Sequence, residues 1–376
     1  MNPNTKRRLI QALLFIVTLV TTTLAGTEWQ YGRFIFNETN PLTWEYFLKG
    51  FSFSIPFLGI LTVHEFGHYF TARKHKVAST LPYYLPMWFG FLGLPSIGTL
   101  GAVIRIKGFV NSRKKYFDIG IAGPLAGFIV ALGVLFYGFT HLPPPEYIFE
   151  IHPEYEEFGL NYADSVYQDQ PGSFKVGTTL LFEFFKEYVT VDQSRLPNDY
   201  EIIHYPWIFA GYLALFFTAL NLIPIGQLDG GHVLYGLLGN RLHRKVSASL
   251  FVVFIFYAGL GTVHPYEASD DLLLSIPLYL GFLYIIFSRL TPSFQTNILV
   301  ALAVFSAQFL VASFDPMIHG YQGWLVFGFL LGRILGIYHP PVMIDHPLST
   351  GRKIMGWLAL LIFILCFSPE PFVIAY

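Results

Sequence analysis

The 376-residue chain is short of charge and nearly without cysteine. Charged residues make up 12% of it, about half the roughly 25% of a soluble domain. That scarcity excludes a disordered chain, a nucleic-acid-binding domain and an ordinary cytosolic enzyme. The one cysteine, Cys366, sits in an apolar run, which excludes a disulfide framework and a cysteine-based metal site. No internal repeat or low-complexity tract is read, and neither a transit peptide nor a soluble accessory domain is expected from the composition. The leader ending in Lys6-Arg7-Arg8 has the charge of a signal peptide, but no A-x-A-like cleavage site follows, so the first apolar run is expected to stay as an uncleaved span. What is abundant is apolar surface. The chain is 53% hydrophobic and 18% aromatic, with a mean hydropathy of +0.51. A polytopic membrane protein is the class left standing.

A spanning helix needs about 20 mostly apolar residues. Nine runs qualify in the sequence: 9–26, 46–71, 119–140, 205–226, 247–263, 272–288, 294–313, 321–338 and 354–371. With the N-terminus cytoplasmic, most of the 23 lysines and arginines fall on cytoplasmic segments; Arg33, Lys49, Lys175, Lys186 and Arg195 lie outside and Arg333 lies within a span. That satisfies the positive-inside rule. The acids do the reverse. Of 24, all lie outside except Glu65, Asp118, Asp229 and Asp345. Asp118 and Asp345 belong to cytoplasmic loops. Glu65 and Asp229 sit near the cytoplasmic ends of apolar spans, where a carboxylate is costly and points to function.

Two connections stand out. Residues 141–204 form a long acidic extracytoplasmic insert, beginning with Pro143-Pro144-Pro145, and are expected to be a small cap or a loosely folded segment. Asn37-Glu38-Thr39 fits a glycosylation sequon, a pattern too common to carry weight. Residues 77–118 are apolar but broken by Pro82, Pro86, Pro95, Gly90, Gly93, Gly98 and Gly101, so they read as a re-entrant or interfacial segment whose backbone is satisfied by a short β-hairpin. One strand of it is expected at Thr99–Ile106.

The second span carries His64-Glu65-Phe66-Gly67-His68. Histidines four apart share a helix face and can grip one metal ion, with Glu65 beside that face as general base for a water. A catalytic zinc takes three protein ligands and keeps one open position. Asp229, the other intramembrane acid, would complete a His-His-Asp set from the segment Asn221-Leu222-Ile223-Pro224-Ile225-Gly226-Gln227-Leu228-Asp229-Gly230-Gly231-His232. Pro224 breaks the span before it, and Gly230-Gly231 are expected to give a flexible turn.

His64–His68 and Asp229 in Asn-x-x-Pro-x-x-x-Leu-Asp-Gly, together with Gly120-Ile121-Ala122-Gly123-Pro124-Leu125-Ala126-Gly127, resemble the site-2 protease family of intramembrane metalloproteases over roughly residues 46–240. The resemblance implies an endopeptidase that cuts a transmembrane segment of a single-span membrane-protein substrate. It implies one Zn2+ per chain held by His64, His68 and Asp229, with Glu65 activating the water. Asn221 matches a family asparagine that bonds substrate or the developing oxyanion, and His232 is a candidate supporting residue. The strand around Ala102, Val103 and Ile104 could hold an unwound substrate by β-addition. Gly123 and Gly127 form a small-xxx-small face read as helix packing.

The expectation is therefore an all-α polytopic membrane protein with about nine transmembrane helices and a small membrane-associated β-hairpin. Residues 1–45 make the first span and its extracytoplasmic connection, 46–240 the catalytic core and 241–376 the C-terminal spans. The expected setting is a prokaryotic plasma (inner) membrane, with the active site near the cytoplasmic face. The rival readings are a transporter or channel, a homologue that binds membrane segments without cutting, and a prenyl-protein-type peptidase with a glutamate third ligand.

Overall fold

The computed structural model describes residues 2–36, 40–94, 96–167 and 173–374; the Asn37-Glu38-Thr39 sequon lies outside them. The chain is mostly helical, with two small two-stranded antiparallel sheets. It divides into two compact units: Met1–Val110 with Ala122–Leu220 and Leu361–Tyr376, and Asn111–Ile121 with Asn221–Leu360.

In the first unit, helix α1 (Pro3–Tyr31) starts where the Asn2 side chain accepts from Asn4 N at 3.0 Å, and stops at Gly32, whose φ of 60° is left-handed. Helix α2 (Phe51–Lys74) follows the short helix Trp44–Lys49. α1 and α2 approach closely at small residues: a Cβ on Gly26 would lie 2.9 Å from Gly50 O, and Thr23 Oγ1 bonds Ser54 Oγ at 2.8 Å in the buried contact. Arg73 and Lys74 suit the negative end of the α2 dipole, and Lys76 ends the run with φ 58°.

The expected hairpin is present. Strand β1 (Tyr83–Met87) pairs with β2 (Gly98–Val103) from Tyr83↔Val103 to Met87↔Gly98, with a register shift between Tyr84 and Pro86. The strand expected at 99–106 ends at Val103. Gly101 has φ 102° and its N–H donates to Thr99 Oγ1 at 3.0 Å, which kinks β2 early. Beyond it the two segments stay paired without forming a named strand, through the Ser79↔Ile106 bridge, Thr80 N to Arg105 O at 3.0 Å and Lys107 N to Ala78 O at 2.7 Å.

Helix α3 (Arg113–Thr140) enters this unit at Ala122. The 141–204 insert is a built cap. It is made of short helical turns and strand β3 (Phe174–Val176), which pairs with the C-terminal strand β4 (Phe372–Ile374). Helix α4 (Pro206–Leu222) completes the core, where Ile60, Ala131, Val134 and Ala214 pack together and Phe209 stacks on Phe53 at 5.6 Å.

The second unit holds α5 (Asp229–Ala258), kinked at Gly239, then α6 (Ser269–Phe287), α7 (Phe294–Phe314), α8 (Gly323–Leu330) with a π-turn at Leu331–Leu335, and most of α9 (Thr350–Cys366). Arginines tie it together. Arg352 grips Asp118 through two bonds of 2.6 and 2.9 Å, and Arg113 reaches Gly236 O at 2.9 Å and Asp345 at 3.3 Å. Arg333 is anchored too: it donates to Ser288 Oγ at 2.7 Å, and its carbonyl accepts from Arg289 at 2.8 Å.

Among the described residues, five helices are long and apolar enough to cross a membrane: Asn4–Tyr31, Trp44–Lys74, Arg113–Thr140, Ser269–Phe287 and Phe294–Phe314. The expected count of nine is not reached among the described residues. The run at 205–226 stops as α4 at Leu222, before Pro224. That at 247–263 is the latter part of α5, whose middle carries Arg241, Arg244 and Lys245. The 321–338 run is a short helix ending in a π-turn, and 354–371 is the 17-residue α9.

Candidate metal centre

His64, Glu65 and His68 are all buried in the C-terminal half of α2. One helical turn brings the two imidazoles edge to face, with His64 Nε2 and His68 Nε2 3.1 Å apart. Two nitrogens on a tetrahedral zinc with bonds of about 2.0–2.1 Å lie about 3.3 Å from each other, so the pair fits a shared zinc. Glu65 Oε1 is 3.9 Å from His64 Nε2. The carboxylate therefore stands beside the histidine pair. Thr62, just before the motif, bonds the Tyr84 hydroxyl at 2.7 Å and so fastens α2 to β1.

The α3 backbone lies directly against this face. A Cβ on Gly67 would sit 2.6 Å from Ala122 O, one on Gly127 would sit 3.0 Å from His64 Cβ, and one on Gly123 would overlap His68 Nε2. Gly123 and Gly127 are thus a packing face, as expected, but what they pack against is the histidine pair itself. A side chain at either position would force the facing ring to shift.

In the second unit, Asp229 is the first residue of α5, next to Leu228 as its N-cap. The expected flexible turn at Gly230-Gly231 is not found. Both glycines lie inside the first turn of α5, pressed against the backbone of Leu222 and Gly226, where a Cβ has no room. Gly226 has φ 63°, and its N–H donates to Ser247 Oγ at 3.1 Å, which in turn donates to Ile337 O at 2.7 Å. The segment after Pro224 is a locked turn that fixes where Asp229 begins its helix. Asn221 stands in the last turn of α4. His232 joins an aromatic group with Tyr116 (5.2 Å) and His339 (4.9 Å), and a Cβ on Gly120 would lie 2.7 Å from the His232 Cβ. Ala102 and Val103 lie on β2 and Ile104 just beyond its end.

The chain matches the family Peptidase family M50 over residues 52–262. It is similar to the probable zinc metalloprotease EGY2, chloroplastic, of Oryza sativa subsp. indica, 29% identical over 225 residues, covering 55% of this chain and 35% of the relative. The Arabidopsis thaliana protein of that name is 27% identical over 244 residues, covering 60% and 39%. The probable zinc metalloprotease EGY1, chloroplastic, of Arabidopsis thaliana is 28% identical over 196 residues, covering 52% and 31%. The chain spans about a third of the length of these relatives. No solved structure matches. With more than half of its residues matched, including both the α2 motif and Asp229, the chain belongs to peptidase family M50. The relatives are chloroplastic plant proteins, so the expected prokaryotic plasma membrane finds no support among them.

Proposed function

We propose that this protein is an intramembrane zinc endopeptidase that cuts a peptide bond within or beside the membrane segment of a single-span substrate. The observation that carries the reading is the buried pair of imidazoles 3.1 Å apart, with Glu65 beside them, on an apolar helix of an M50 chain. Asp229 is the proposed third ligand. It is an acid at a fixed helix start, and an oxygen donor completes the His-His-Asp set with one position left open.

When bound, zinc supplies Lewis acidity at the scissile carbonyl and at the attacking water. The Glu65 carboxylate takes that water's proton and delivers it to the leaving amine. The Asn221 amide donates to the carbonyl oxygen as it gains charge. A helical substrate hides its peptide bonds in its own hydrogen bonds, so it must unwind. In this reading the edge of β2 at Ala102–Ile104 holds the unwound stretch as an added strand. The five long apolar helices support an integral membrane setting, and the charge segregation supports a cytoplasmic N-terminus with the site near that face.

The test uses purified protein with solubilised host membrane proteins, reading new N-termini by mass spectrometry. Cleavage should stop with a zinc chelator and return with zinc. Asp229→Ala should abolish the zinc-restored cleavage; a variant that cleaves like the wild type would refute Asp229 as a ligand.

A further inference from the structure

The 141–204 cap holds a second convergence of metal-ligating groups, built from residues unrelated to the α2 motif. His152 Nε2 and His204 Nε2 lie 3.3 Å apart, and Glu201 Oε2 lies 3.3 Å from His204 Nε2. The three ligand atoms all fall within 4.8 Å of one another. Both short distances match the separation of about 3.3 Å between donors on a tetrahedral zinc.

The far side of each ring fixes what faces the centre. His204 Nδ1 lies 2.8 Å from Gln30 O. A carbonyl can only accept, so Nδ1 carries the proton and Nε2 presents its lone pair. His152 Nδ1 lies 3.0 Å from the Glu154 carboxylate, with the same consequence. Glu201 is 0% exposed; the Tyr167 hydroxyl donates to its Oε1, while Oε2 receives no hydrogen bond among the described residues. Two lone pairs and a buried carboxylate oxygen therefore point at one another with no donor between them. Neutral rings in that arrangement repel, and a buried carboxylate with one oxygen left without a donor is costly. A cation at the centre removes both penalties. The outer bonds to Gln30 O and Glu154 are also the kind that orient metal-bound histidines.

We propose that His152, Glu201 and His204 bind a zinc ion that clamps the extracytoplasmic cap. Two imidazoles and a carboxylate are a donor set that suits zinc. A cavity of about 620 Å3 lined in part by His152, Tyr155 and His204 leaves room for a water in the fourth position. The ion joins the start of the cap to its end and, through Gln30, to α1. It closes a loop of 52 positions, and binding to the folded cap alone stabilises it.

The alternative occupant is a proton shared between the rings, and metal titration separates the two. The full chain carrying His64→Ala and His68→Ala, purified in detergent and stripped by chelator, is titrated with Co2+. One equivalent should bind with the intense visible absorption of a tetrahedral ion, and Zn2+ should displace it and raise the unfolding temperature. Adding His152→Ala, at a partly exposed position, should abolish both effects, whereas His346→Ala should change neither. A folded background variant that binds no cobalt, as a shared proton requires, overturns the proposal; so does cobalt binding that survives His152→Ala. Because the background lacks the α2 histidines, the result stands apart from the peptidase reading.

Discussion

Three glycines of one segment each give way to a histidine: Gly120 to His232, Gly123 to His68 and Gly127 to His64. Their lack of a side chain is what seats the rings. Gly123→Ala should leave the fold intact and lower zinc affinity or cleavage by roughly 10–100-fold, the range for a disturbed supporting residue; metal content and cleavage rate check this, and wild-type values for both would contradict it. The acids behave with the same economy. Of the four that break the acids-outside pattern, Asp118 and Asp345 are paired with Arg352 and Arg113, whereas Glu65 and Asp229 are the two carried by the metal motifs. The α2 motif was legible because its spacing is local. His152, Glu201 and His204 were not, because 52 positions separate the two histidines. The Glu-x-x-His spacing at 201–204 was the one local signal, and it was lost among the acids of the insert.

At the level of the element, turns carry as much as helices. The segment Ile223–Leu228 is held by Gly226, Ser247 and the carbonyl of Ile337, so Asp229 depends on contacts made far along the chain. α5 depends in turn on Gly239, whose φ of 74° and ψ of 173° lie where only glycine is at ease. Arg113 packs 3.0 Å from the point where a Cβ would stand. Gly239→Ala should destabilise the protein by about 1–3 kcal/mol, read as a lowered midpoint of thermal unfolding; an unchanged midpoint would contradict the strained kink. The hairpin at 77–118 was legible from helix breakers in an apolar run. Its early end was not, because the bond between Thr99 and Gly101 that kinks β2 is a local choice the apolar pattern does not encode.

For the whole molecule, charge segregation is the broadest clue and hydropathy the least discriminating. Hydropathy windows count apolar residues, not helix continuity, so runs broken by Pro224 or by the π-turn at Leu331–Leu335 read as spans without forming long helices. The β3–β4 pair joins positions about two hundred residues apart, beyond the reach of any local pattern. The proposed orientation is testable because the single cysteine, Cys366, is fully buried and silent to labelling. In sealed cells, a membrane-impermeant maleimide should label Glu157→Cys and spare Lys6→Cys; the opposite pattern would invert the topology. The central claim is that Glu65 moves the proton at a zinc site built on α2. The most direct measurement is Glu65→Gln, purified and assayed side by side for zinc content and for new N-termini in membrane-protein substrates. Zinc content should equal that of the wild type while cleavage falls by about 10²–10⁴-fold. A zinc-loaded Glu65→Gln protein that cleaves at the wild-type rate would contradict the account.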